Sequence, residues 1–164
     1  MINHPRADYV KHPREWLAID GSIEAIARLN RAGVKVFIAS NQSGLAKHLF
    51  DHDTLYAIHR KLQRQVETHG GHVHGFFFCP YLAGPDRKPH PGLLFDIAAR
   101  GNINLSHTPY IGDSLKDVEA ALTAQAIPVL VQTGNGAAAL ESGNIPASVA
   151  VYDNLHSAVN GLLK

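Results

Sequence analysis

The chain has 164 residues, enough for one domain with a core of its own, and its 45% hydrophobic and 18% charged residues are ordinary for a globular protein. A formal net charge of +1 gives no basis for a nucleic-acid or acidic-membrane partner. No apolar run approaches bilayer length, Met1 to Arg14 is too polar to read as a signal peptide, and the single cysteine, Cys79, leaves no disulfide; a reducing, cytoplasmic setting is the expectation.

Along the chain, Asp20 and Ser22 precede an apolar series at helical spacing (Ile23, Ile26, Ala27, Leu29), and Gly33 closes it. Val34 to Ala39 is a near-continuous apolar run, which predicts a strand covered on both faces. Asp51 or Asp53 can cap a helix running to about His69, where Gly70-Gly71 stops it. Val73 to Cys79 is the next strand. Pro91, at a helix N1 position, opens a helix ending near Gly101. Tyr110-Ile111 is a short strand, Ser114 to Gln125 a helix and Ile127 to Gln132 a strand. Val149 to Tyr152 is an edge strand and Asn154 to Leu163 the last helix. Strand and helix alternate with short linkers, which predicts an α/β, doubly wound parallel sheet, where ligands bind beyond the carboxyl ends of the strands.

Three polar motifs fall at those ends. Ser40-Asn41-Gln42-Ser43-Gly44 offers hydroxyls, amides and a tight turn, suited to an anion. Arg87-Lys88-Pro89-His90-Pro91-Gly92 presents two cations on a restricted backbone, suited to phosphate or sugar contact. Gly112-Asp113, with Asp117 four residues on, places a carboxylate at a strand tip, where it can reach Mg²⁺; Asp117 can support through a bound water or by hydrogen bonds to loop amides. Each has a bland alternative: a strand-capping turn, a solvated basic loop, or a helix N-cap with a first-turn acid. Their convergence on one sheet edge outweighs any one of them. The eleven histidines form no spaced ligand set, and His72-Val73-His74 has no third ligand in view. Cys79 has no placed base and reads as structural.

Together these motifs, with Cys79-Pro80, Leu45-Ala46 and Val131-Gln132-Thr133-Gly134, resemble the haloacid-dehalogenase-like phosphatases. Within them the chain is similar to the D,D-heptose 1,7-bisphosphate phosphatase group, near the histidinol-phosphate phosphatases. The resemblance covers essentially the whole chain, which is expected to form one such domain over residues 1–164. It implies a monomeric, Mg²⁺-dependent sugar-phosphate phosphatase serving cell-envelope carbohydrate synthesis. Ser40 would hold the transferring phosphoryl group and Lys88 stabilise it. Asp113 would bind Mg²⁺ with Asp117 supporting, and Asn41, Gln42, Ser43 and Arg87 would contact substrate.

Two departures shape the expectation. The family's nucleophile is the first Asp of an Asp-x-Asp pair ending a first strand, whose second Asp acts as acid and base. Here Met1-Ile2-Asn3 matches only the residues after that pair, and Asp8 lies in the loop beyond it. The expectation is an N-terminally truncated domain whose first, central strand is missing through a misassigned start: inactive or poorly soluble alone, and rescued by about ten added residues. Relatives also often carry a Cys- and His-rich zinc loop where this chain has only Tyr81-Leu82-Ala83-Gly84-Pro85-Asp86, so no structural zinc is expected. The rival readings are a histidinol-phosphate or other small phosphomonoester phosphatase, and a non-catalytic phosphate-binding remnant.

Overall fold

The computed structural model describes residues 1–164. Five strands and six α-helices follow in order: α1 (Ser22–Arg31), β1 (Phe37–Asn41), α2 (His52–Thr68), β2 (Gly75–Cys79), α3 (Gly92–Gly101), β3 (Pro109–Gly112), α4 (Leu115–Thr123), β4 (Ile127–Val131), α5 (Gly136–Glu141), β5 (Ala150–Tyr152) and α6 (Leu155–Leu162). Every strand pairing is parallel. The alternating α/β order read from the sequence holds; α5 is a short Ala-rich helix that the pattern does not announce.

Local hydrogen bonding sets the boundaries. Asp51 caps α2 by accepting from Thr54 N at 2.8 Å. Asn154 and Ser157 form a reciprocal capping box on α6. Pro91 stands at the N-cap of α3, one position before the expected N1. β1 and β2 start later than their apolar runs because side chains take over the ladder below them. His74 Nδ1 accepts from Val36 N, Asn30 Oδ1 from His72 N, and Gln63 Oε1 from Val73 N. Val34, inside the expected strand, is 42% exposed.

Helices cover both faces. On one side α1, α2 and α6 bury Ile23, Ile26, Ile58, Leu62, Val66 and Val159 with Trp16. On the other, α3 and α4 bury Leu93, Leu94, Ile97, Ala120 and Ala121 against Ala39 and Cys79. Full burial of a Leu or Ile side chain contributes roughly 1.5–3 kcal/mol, so these two layers hold the helices in place.

The strands do not form one sheet. β1 pairs only with β2, while β3, β4 and β5 make a separate sheet. Between β1 and β3 lies a slot of about 360 Å³, lined largely by apolar side chains, among them Val36, Ile38, Ile111, Ile26 and Leu94. Gln42 N donates to Cys79 O, and Thr108 O accepts from Ile127 N. Alternation along each strand therefore turns the N–H and C=O groups of Phe37, Ala39 and Ile111 away from β2 and β4, toward the slot. The slot also explains why β1 is only half-buried apart from Ala39, where cover on both faces was expected. The segment before α1 borders the slot through Met1 and Ile2 and pairs back on itself through an antiparallel Asn3–Ala18 bridge.

Candidate active site

The carboxyl ends of β1 and β3 meet above the slot, and a polar network joins them there. At the tip of β1, Ser40 Oγ accepts from Gln42 Nε2 at 3.2 Å, and the following turn buries Ser43. Gly44 packs so closely on the Phe50 ring that a Cβ has no room. Asn41 spends its amide on the loop before α3: Nδ2 donates to Lys88 O at 3.0 Å, and Oδ1 accepts from Lys88 N at 3.1 Å.

This clamp delivers the Lys88 side chain across the top of the slot. Its Nζ donates to Ala39 O at 3.1 Å and to Asp117 Oδ1 at 2.7 Å. The two charged side chains are 11% and 7% exposed. An ammonium has three N–H donors, so one remains for an incoming anion. Burial alone would lower the Lys88 pKa, but Tyr110 and Asp117 outweigh it and hold the ammonium above its ordinary value.

Asp117, in the first turn of α4, is fully engaged. Oδ1 also accepts from Tyr110 Oη at 3.3 Å, and Oδ2 accepts from Ser114 Oγ at 2.6 Å and Asp113 N at 3.3 Å. Burial pushes its pKa up; Lys88 and the Ser114 and Asp113 donors pull harder, leaving it below the usual carboxylate value. Asp117 thus meets the Asp113 loop through a direct amide hydrogen bond.

Asp113 sits at the end of β3, half-exposed. Its Oδ2 accepts from Asn135 N at 3.0 Å and lies against Gly134, whose φ of 72° suits glycine. Its Oδ1 carries no hydrogen bond and is free to meet a cation. The Met1 amino group donates to Thr133 Oγ1 close by; burial lowers its pKa, partly offset by the Asp113 and Asp117 charges. A carboxylate oxygen of this kind is the hard donor that Mg²⁺ takes. No group of three His, Cys, Asp or Glu side chains is gathered anywhere in the chain.

Hydrogen bonds thus bring Lys88, Asp117 and Asp113 together, while Ser40 stands at the tip of β1 next to Asn41 with its hydroxyl bonded to Gln42 alone. Arg87 stands at the rim, where Nη1 donates to Tyr81 O at 3.0 Å and no carboxylate pairs with it. Asp8 lies on the surface, paired with Arg6 and Lys11. The chain's one Asp-x-Asp, Asp51-His52-Asp53, caps α2. Two further groups escaped the sequence reading. Lys47 Nζ donates to Tyr9 Oη at 2.8 Å beside the turn after β1, and Tyr110 Oη reaches Asp117. An aromatic in a short apolar strand gives no sign, by pattern alone, that its hydroxyl meets an ion pair.

Residues 86–158 match the HAD-hydrolase-like family model. The D-glycero-beta-D-manno-heptose-1,7-bisphosphate 7-phosphatase of Bordetella bronchiseptica is 45% identical, with 100% of this chain and 93% of that protein covered. The enzyme of the same name from Pseudomonas putida is 41% identical, covering 99% and 94%. Among solved structures, the B. bronchiseptica D,D-heptose 1,7-bisphosphate phosphatase complexed with magnesium and phosphate superposes with a TM-score of 0.96 at 44% identity, covering 99% of this chain and 93% of that one. The Burkholderia thailandensis D,D-heptose 1,7-bisphosphate phosphatase gives 0.77 at 37% identity, covering 97% and 95%. The chain belongs to this heptose-bisphosphate phosphatase family of the haloacid-dehalogenase-like hydrolases.

Proposed function

We propose that this member of the family acts as a Mg²⁺-dependent phosphomonoesterase that removes the C7 phosphate of a D-glycero-D-manno-heptose 1,7-bisphosphate. The observation that carries this reading is the Lys88 ammonium, fixed by Ala39 O and Asp117 with one N–H left over, at the same sheet edge as the free oxygen of Asp113. The names of the similar phosphatases support the choice of substrate. Ser40 and Lys88 hold the transferring phosphoryl group, and Lys88 offsets the charge that builds on its oxygens. Asn41 fixes the Lys88 backbone and Gln42 and Arg87 border the leaving heptose phosphate, while Ser43, expected to touch substrate, is buried beneath the turn and supports it instead. Bound at Asp113, Mg²⁺ supplies further charge neutralisation.

The nucleophile is a separate matter. Asp117 is buried and paired, and Asp113 is assigned to the metal. An extended segment in the slot would find backbone groups of Phe37, Ala39 and Ile111 to pair with, and its carboxyl end would emerge between Lys88 and Asp113. We assign the attacking carboxylate to such a strand. With it in place, residues 1–164 act as one domain, and a cytoplasmic monomer is the working form; the one buried free thiol accords with a reducing setting.

The test is phosphate release with Mg²⁺ by a protein carrying an apolar strand ending in Asp-x-Asp-Gly ahead of Met1. The expected result is a kcat/KM for heptose 1,7-bisphosphate at least about tenfold above that for histidinol phosphate. Preference for histidinol phosphate would overturn the substrate assignment. Tight binding of either ester without turnover would make the chain a phosphate-binding module.

A further inference from the structure

We infer that Tyr110 is a positioning residue for Lys88, holding the Asp117 carboxylate so that the ammonium presents its one free N–H to phosphate. This rests on the reading of Lys88 as the phosphoryl-stabilising cation. Four contacts carry it. Tyr110 Oη lies 3.3 Å from Asp117 Oδ1, the same oxygen that Lys88 Nζ meets at 2.7 Å. Lys88 Nζ stands 5.8 Å from the centroid of the Tyr110 ring. The remaining Lys88 anchor, Ala39 O, belongs to the other sheet.

The geometry explains why a third group is needed. An ammonium with two anchors has its third donor direction fixed only while both anchors stay still. Ala39 O is backbone and does not swing. Asp117 is a side chain, and its Oδ2 is held by the Ser114 hydroxyl, itself a rotatable group, and by a long 3.3 Å bond from Asp113 N. The Tyr110 hydroxyl is the second donor on Oδ1 and restrains the carboxylate from the opposite side. Its ring supplies a wall against the ammonium from the β3 side, at a separation where a cation is attracted to an aromatic face. Burial pushes the phenol pKa up to about 12, so it serves as a donor at neutral pH.

Packing alone would be equally well served by Phe, so Tyr110→Phe isolates the hydroxyl. The experiment measures orthophosphate binding in the presence of Mg²⁺, by calorimetry, for the wild-type chain, Y110F, K88M and the double variant. Y110F is expected to weaken phosphate about three- to tenfold, the scale of one ordinary hydrogen bond, because the lost bond acts on phosphate only through Asp117 and Lys88. In the K88M background the same change is expected to have no effect, because the group being positioned is gone. An unchanged affinity in Y110F, or an equal loss with and without Lys88, overturns the inference. K88M binding phosphate as well as wild type would instead overturn the reading of Lys88 itself. A second measurement needs no Tyr110 variant: the wild-type ammonium resonance of Lys88, identified by its loss in K88M, should be protected from solvent and show a nuclear Overhauser contact to the Tyr110 ring. A rapidly exchanging ammonium without that contact also overturns the inference.

Discussion

The two sheets meet in two different ways along one seam. At the tip, side chains cross between them: Asn41 clamps the Lys88 backbone, Lys88 reaches both Ala39 O and Asp117, and Asp117 holds the Asp113 loop. Below it, the edges of β1 and β3 face each other across an apolar slot with no backbone pairing. The polar end of the seam is complete and the apolar part is open. The arrangement of Lys88, Asp117 and the Asp113 loop is therefore set by hydrogen bonds that do not depend on a continuous sheet, while stability depends on what fills the gap.

The strongest way to sharpen this contrast is to fill the slot. Joining an apolar strand ahead of Met1 should raise unfolding free energy by about 5 kcal/mol or more, a large part of a domain's whole stability. The 164-residue chain should take up a hydrophobic dye in the slot and unfold at lower denaturant than the extended chain, which should take up none. Denaturant melts with dye titration check this, and a dye-free short chain unfolding at the same denaturant as the extended one would break the contrast.

Next comes the tip. Lys88→Met strands Asp117 as a buried, unpaired carboxylate and should cost about 3–5 kcal/mol; Lys88→Met with Asp117→Leu should recover most of that loss. A denaturant series on both variants provides the check. Asn41→Ala leaves the Lys88 amide without its acceptor and should cost about 1–3 kcal/mol, with a matching loss of phosphate affinity as the lysine loosens.

The smallest effect lies away from the seam. His59 stacks on Phe76 at 4.4 Å between ring centroids, and burial holds its pKa down at about 4. The unfolded chain therefore takes up a proton at His59 that the fold refuses. Its contribution to stability is full above pH 6.5 and falls as pH drops toward 4. Asp117, with its folded pKa depressed, gives up its own share below the ordinary carboxylate value of 3.8. Melting temperature between pH 7 and 5 should decline in wild type and flatten in His59→Phe.

The sequence made some of this plain and hid the rest. β4 was legible because Ile127 to Val131 is an unbroken apolar run, and the motif ends at Ser40, Lys88 and Asp113 pointed to one edge. The true start of β1 was hidden because His74 and Asn30, far along the chain or on another element, decide where the ladder begins. The pairing of Lys88 with Asp117 spans 29 residues, and that of Asn135 with Asp113 spans 22, so neither has a local signature. Tyr110 gave no sign either, since a strand pattern marks the ring as apolar and is silent about the hydroxyl. The slot has no signature in the sequence and becomes visible only when β1 and β3 are seen side by side.

Amide hydrogen exchange at Phe37, Ala39 and Ile111 reports on the open seam itself, because their N–H groups face the slot. Rapid exchange in the 164-residue chain, turning to strong protection once a strand is joined ahead of Met1, is the predicted result. Strong protection at these three amides in the 164-residue chain would mean that the seam is already closed, and would contradict both the slot and the strand assigned to it.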